Sequence, residues 1–243
     1  MRSGRDCLTL YDLVRRAAEL LGIHASRLAK HPSQTLLGLR AKPFDLILDI
    51  GANSGQFAHE MRSIFPGAHV VSFEPLPKAF AELFRWATAD GNADAHNLAL
   101  GDEDSNLPIN VHLAHSASSS MLATTNEGLK AYPIMAGQQQ LQVPVKRLDD
   151  VLVGLGLVVG PGTLIKLDVQ GFEAQVMRGA PESLARCGAL LTEVSLDPIY
   201  SGQAKFLDLC HLAEAAGLRY AGNYSQFFGE DGHVIFLDAL FVR

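Results

Sequence analysis

The segment Leu48-Asp49-Ile50-Gly51-Ala52-Asn53-Ser54-Gly55-Gln56-Phe57 limits this chain's folds more than any other. A short apolar run, residues 45–50, feeds a turn with two glycines four apart. Residues 56–65 then continue with helical spacing up to a Pro66-Gly67 stop. Glycine permits positive φ and close approach to the backbone. The first turn of a following helix presents unpaired N–H groups and a partial positive charge. A strand, glycine turn and helix in this order predict an open α/β sheet that binds its ligand at the carboxyl ends of the strands.

The chain downstream repeats the alternation. Apolar runs at 69–73, 94–100, 164–169, 189–194, 218–221 and 234–242 read as strands, and 77–89, 173–186 and 204–216 as helices. Near-continuous apolar strands separated by helices imply a mostly parallel sheet covered on both faces. Residues 107–145 interrupt the rhythm with two extended pieces, 109–113 and 141–145, around a polar loop with Ser116, Ser118, Ser119 and Ser120. A loop of that length in a compact domain suggests a functional role, so it is read as a substrate cover in which Ser118-Ser119-Ser120 can meet substrate hydroxyls.

Two details narrow the ligand. A dinucleotide turn wants G-x-G-x-x-G, but Asn53 and Gln56 stand where its second and third glycines belong. Asp49, placed at the mouth, would repel a pyrophosphate and suit a cationic amine. Glu74 ends the second strand, 23 residues after Gly51, where a carboxylate accepts from both hydroxyls of a ribose. An amine and a ribose without a diphosphate describe S-adenosylmethionine.

The run D-I-G-A-N-S-G-Q-F, followed by Phe73-Glu74-Pro75, resembles the FkbM family of S-adenosylmethionine-dependent methyltransferases. Val145-Lys146-Arg147-Leu148-Asp149-Asp150 resembles the family's short lead-in before its fourth core strand. The block Ile165-Lys166-Leu167-Asp168-Val169-Gln170-Gly171-Phe172-Glu173, continuing to Met177-Arg178-Gly179-Ala180, resembles its K-x-D-x-E-G-x-E pattern and the L-x-G-A after it. Gln170 departs from the family's usual glutamate. The last strand, around Asp238, is similar too. The resemblance covers residues 44–243 and implies a Rossmann-like class I methyltransferase fold: seven strands, mostly parallel, with the last antiparallel and helices on both faces. It also implies O-methylation of a hydroxyl on a sugar or natural product. Residues 1–43 stand outside it as an N-terminal helical leader.

The resemblance implies that Asp49, Gly51, Asn53 and Gly55 line the methionine end of the cofactor, with Gln56 and Phe57 opening the helix and Glu74 on the ribose. Leu100 and Asp102 would flank the adenine. Asp168, ending its strand, would face both the cofactor amine and the acceptor. Methyl transfer needs alignment and a proton acceptor, for which Asp168, Glu173, Glu193, His112 and His115 are the candidates. Lys166, on the same strand face as Asp168, balances these acids. Magnesium held by Asp168 and Glu193 is an alternative that spacing does not favour, because no third ligand is evident, and no metal site is expected otherwise.

Composition bounds the partners. The chain has 243 residues, 48% of them apolar and 19% charged, which suits one buried core. A net charge of −6 offers no field for nucleic acid. The charge is uneven: residues 1–42 carry eight Lys/Arg against three Asp/Glu. Within that leader, Leu10, Leu13, Val14, Ala17, Leu20 and Leu21 recur at helical spacing, ahead of a segment punctuated by His31-Pro32-Ser33 and Ala41-Lys42-Pro43. Packing of the leader on the acidic remainder is the simplest reading, and pairing of two copies through it is left open. Cys7, Cys187 and Cys210 form neither a disulfide framework nor a zinc pair; Cys187 and Cys210 read as buried thiols. No secretory signal or membrane-length apolar run is present, so a cytoplasmic protein is expected. A nicotinamide-dependent oxidoreductase or epimerase, and a binding protein without turnover, remain the competing readings.

Overall fold

The computed structural model describes residues 10–22 and 35–243, so Cys7 and His31-Pro32-Ser33 lie outside the described residues. The chain divides into two compact units, Met1–Ala41 and Lys42–Arg243. In the first, helix α1 (Leu10–Leu20) precedes a short turn of 3-10 helix, Leu36–Ala41.

The second unit is built on a seven-stranded sheet. Its strands are β1 (Leu46–Ile50), β2 (His69–Phe73), β3 (Ala93–His96), β7 (Thr163–Leu167), β8 (Ala189–Ser195), β9 (Arg219–Phe228) and β10 (Val234–Val242). Their order is β3-β2-β1-β7-β8-β10-β9. β10 runs antiparallel between β8 and β9, and the pairs on the other side are all parallel. The order reverses at β1, so the ends of β1 and β7 flank the crevice where such sheets bind ligands.

Strand alternation divides the core. Leu46, Leu48, Ile50, Val71, Phe73, Ile165, Leu167 and Leu190 pack into one cluster with α5 (Leu148–Leu155), α6 (Glu173–Arg178), α7 (Pro181–Arg186) and α8 (Phe206–Ala215). The opposite side chains include Lys166, which lies over the ring of Phe57 on α2 (Gln56–Ile64). Helices therefore cover both faces. α3 (Pro77–Asp90) follows β2, and α4 (Asn126–Ala131) lies in the long insertion.

Three expected elements change. The strand expected over 94–100 is cut after His96. Asn97 turns the chain by donating its side-chain amide to the Glu74 and Pro75 carbonyls, at 2.8 and 3.0 Å. β4 (Ala99–Leu100) then joins a second sheet, ordered β4-β6-β5, with β5 (Ser105–His112) antiparallel to β6 (Gln138–Lys146). The two extended pieces of the insertion are thus one long hairpin. The helix expected over 173–186 is two helices, because Pro181 lacks an N–H to continue the ladder. Asp149 starts the second by accepting from Glu182 N and Ser183 N at 2.9 and 3.0 Å. The strand expected over 218–221 extends to Phe228. α5 has no counterpart in the sequence reading. Cys187 is buried just past α7 and its thiol is pushed up to about 11 by burial, whereas Cys210 is half-buried.

Candidate active site

The turn after β1 is held by backbone first. Gly51 N and Ala52 N both donate to the Phe73 carbonyl at 3.0 Å, which pins the turn to the end of β2. Gly51 has φ 77, and a Cβ there would lie 1.9 Å from the Asp168 carbonyl oxygen. Gly51 is therefore required by the approach of the turn after β7, as well as by its own conformation. Gly55, at φ 96, opens α2. Asn53 takes φ 48, a left-handed position that asparagine tolerates.

That conformation aims Asn53 N at Glu74 Oε2, 2.8 Å away, while Leu76 N donates to Oε1 at 2.7 Å. Glu74 is buried, and burial pushes its carboxyl up to about 7 against the two N–H bonds that lower it. It still lines a cavity of about 370 Å³, as do Gly51, Asn53, Gln56, Phe57 and Leu100. Each carboxylate oxygen has a free lone pair for another donor. This chemistry fits a ribose diol, and the cavity fits an uncharged sugar better than a diphosphate. Glu74→Ala should weaken S-adenosylmethionine binding about 10- to 100-fold, the scale of hydrogen bonds to a charged group. Titration calorimetry giving an unchanged affinity would take the ribose away from Glu74.

Asp168 also lines the cavity, with a third of its side chain exposed. Lys166 Nζ stands 3.1 Å from its Oδ2, and Gln170 Nε2 donates to Oδ1 at 2.8 Å. Burial would raise this carboxyl, but the Lys166 ammonium and the Gln170 amide hold it below the usual range. Burial would likewise discharge Lys166, yet Asp168 and Asp49 on its two sides keep it an ammonium.

Asp49 is displaced from its expected position. It is fully buried, does not line the cavity, and sits behind Lys166 at 3.4 Å. Neither of its oxygens makes a hydrogen bond, and burial raises its pKa. The residue alternates with Ile50 along the strand, so its side chain points under the sheet face and away from the mouth. Asp102 is corrected as well: it is exposed and outside the cavity, just past Gly101, whose N–H donates to the Lys146 carbonyl.

Among the expected proton acceptors only Asp168 lines the cavity. His115 is exposed, and His112 is buried between the Ser118 and Thr124 hydroxyls at 2.9 and 3.2 Å. Glu173 accepts from Val169 N and Gly171 N at 3.0 and 3.2 Å, so it ties the turn after β7 together. Glu193 does not line the cavity but adjoins Asp168, and Gln170 Nε2 reaches both carboxyls. Burial and the neighbouring Asp168 raise its pKa well above the ordinary value.

Burial pushes Glu173 up from an ordinary value of 4.5 to about 7. Its raised folded-state value means that stability is lost as pH climbs through this window. Glu173→Gln, which keeps an acceptor oxygen, should therefore match the parent near pH 4.5 and exceed it above pH 7, by at most ~3 kcal/mol. Urea unfolding at both pH values measures this. A deficit at pH 8 would contradict it.

The local sequence reading missed part of the cavity wall. Asp238 on β10 and Tyr224 on β9 line the cavity together with Glu60 and Leu191. The Tyr224 hydroxyl donates to Glu60 Oε1 at 2.8 Å, and Ser225 donates to Asp238. Their separation in sequence hides this grouping, which depends on β9–β10 pairing. From the insertion, Ser116, Ser119 and Met121 reach the cavity. Among the described residues no three His, Cys, Asp or Glu are arranged to hold a metal ion, and no helix is long and apolar enough to cross a membrane.

A family model described as the methyltransferase FkbM domain matches residues 49–220. The 2-O-methyltransferase NoeI of Sinorhizobium fredii is 31% identical over 210 residues, covering 81% of each chain. The 31-O-demethyl-FK506 methyltransferase FkbM of Streptomyces tacrolimicus is 29% identical over 173 residues, covering 60% of this chain and 63% of its own. Among solved structures, an O-methyltransferase from Bacillus cereus in complex with SAH aligns with a TM-score of 0.48 at 12% identity, over 95% of this chain and 88% of its own. With the glycine turn, Glu74 and the Asp168 block all inside the matched span, the chain belongs to the FkbM methyltransferase family.

Proposed function

We propose that this enzyme transfers the methyl group of S-adenosyl-L-methionine to a hydroxyl of a small molecule, a sugar or a natural product, with Asp168 as the proton acceptor. The carrying observation is the partly exposed Asp168 carboxyl at the cavity wall, 3.1 Å from Lys166 Nζ and 2.8 Å from Gln170 Nε2. The printed names of NoeI and FkbM both specify oxygen as the atom methylated, which supports the same acceptor atom here.

S-adenosyl-L-methionine, when bound, supplies a methyl on a sulfonium, and the positive charge is lost as the methyl leaves. Glu74 accepts from the ribose, and the turn of residues 51–55 with Asp168 holds the amino-acid end. Leu98, Leu100 and Phe172 offer an apolar surface for the base. The acceptor is left with Phe57, Leu191, Tyr224 and Asp238, an apolar face beside hydrogen-bonding groups, which is what a polyhydroxylated ring needs. Asp168 aligns the acceptor hydroxyl and takes its proton as the C–O bond forms. Lys166 remains charged throughout and cannot serve as that base; it keeps Asp168 ionised. Nucleic acid and a membrane have no part in this reading, and the unpaired thiols Cys187 and Cys210 agree with action in the reducing cytoplasm.

The test is incubation with methyl-labelled cofactor and panels of sugars and natural products, read by mass spectrometry as the gain of one methyl. Calorimetry with S-adenosylmethionine, S-adenosylhomocysteine and NAD runs in parallel. Tight NAD binding with no response to the sulfonium donor would restore the oxidoreductase reading.

A further inference from the structure

Gln170 sits in the turn after β7 at φ 55, held there by Gly171 at φ 94 and by Ser120, whose hydroxyl donates to the Gln170 carbonyl at 2.6 Å. Its side-chain nitrogen is 2.8 Å from Asp168 Oδ1 and 3.1 Å from both Glu193 oxygens. Its side-chain oxygen faces the Tyr200 hydroxyl at 2.8 Å. The opposite orientation of the amide would set its oxygen against three carboxylate oxygens, so the nitrogen must face the acids.

Two carboxyls this close in a buried setting need something positive between them: a proton, a cation or polarised N–H groups. Here Glu193, pushed well above its ordinary value by burial and by Asp168, keeps a proton in its contact with Asp168, and the N–H groups of the Gln170 amide tie the same two carboxyls together. A carboxylate at this point in the chain would make three acids converge, so a neutral side chain here has a structural consequence.

We propose that Gln170 is a positioning residue of the methyl-transfer site, clamping the Asp168 and Glu193 carboxyls through its amide so that the pair needs no divalent cation to bridge it. This rests on the assignment of Asp168 to the reaction, but it concerns what holds that carboxylate in place. The remaining charged groups around the clamp agree with it. Lys166 takes the other oxygen of Asp168, and Asp238 and Glu173 stand near enough to Glu193 to disfavour its charge.

The clamp is tested with Mn2+ as probe, followed by electron paramagnetic resonance on the full chain. The parent should take up no Mn2+ at this site. Gln170→Glu should gain a single site per chain, and adding Glu193→Gln to it should remove that site. Should Gln170→Glu fail to fold by circular dichroism, Gln170→Leu decides the matter. Its melting temperature should rise with added Mn2+ while that of the parent stays fixed, a rescue that a purely structural glutamine would not produce. Parent uptake of Mn2+ that disappears in Asp168→Asn would overturn the clamp. So would the absence of any Mn2+ response in the folded variants. Because none of these readouts needs turnover, they stand apart from the question of the base: an active Asp168→Asn enzyme would remove Asp168 from proton transfer and leave the metal results untouched.

Discussion

Asp168→Asn is expected to lower the methyl-transfer rate by about 10²- to 10⁴-fold, the range carried by a positioned general base. The exchange preserves shape and one acceptor oxygen, so the bond from Gln170 can persist. What disappears is the negative charge beside Lys166, 3.1 Å away, and the ability to receive a proton. Cofactor affinity should fall less than the rate, because Glu74 and the turn after β1 are unaltered. The pH profile supplies a second check. Lys166 holds the Asp168 carboxyl below the usual carboxylate range, so the parent should keep its activity down to mildly acidic pH. A variant retaining the parental rate within a few-fold, measured with the labelled donor, would remove Asp168 from proton transfer.

Gly51→Ala is expected to be the most damaging single methyl group in the molecule. A left-handed φ of 77 costs a non-glycine residue roughly 1–2 kcal/mol by itself. The new Cβ would also meet the Asp168 carbonyl oxygen at 1.9 Å, so β1 and β7 would have to separate at their carboxyl ends. These strands are hydrogen-bonded neighbours, so little of that separation can be absorbed locally. A total near 4–5 kcal/mol would lower the melting temperature by ~10–20 °C for a domain of this size. Cofactor binding should be lost with it, since the same turn carries Asn53 and its bond to Glu74. A differential scanning measurement showing a shift of a degree or two would mean that the turn yields more easily than its contacts indicate.

The site's first half was legible in the sequence because its determinants are local. A strand that ends in Gly51, a helix that begins at Gln56 and an acid at the end of the next strand are adjacent in sequence or one element apart. Strand period and turn chemistry then bring them to the same edge. Glu74 reaches the cavity for that reason, and Gly51, Asn53, Gln56, Phe57 and Leu100 follow, whereas Gly55 opens the helix without lining the cavity. Asp49 shows the limit of such reasoning. Its position at a strand end was readable, but its face was not: one residue of pleat decides between the mouth and the interior. Asp102, His115 and Glu173 failed in the same way, since a titratable residue near a strand end has no orientation until its loop is traced. The split at Pro181 had a local signal, whereas the fate of Ala99 and Leu100 did not, because their partner strand is β6, far along the chain.

From the chain alone came the layered α/β architecture, the glycine turn, the carboxylate at the end of the second strand and the family likeness, each a property of neighbouring residues and of two repeating periods. Folding decided which acids share a wall. Lys166 between Asp49 and Asp168, Gln170 across Asp168 and Glu193, and Tyr224 with Asp238 in one cavity with Glu74 all join residues from separate strands. The charge state of each carboxyl depends on burial and on neighbours within a few ångströms. Such distances do not exist until β-sheet pairing has brought remote segments together.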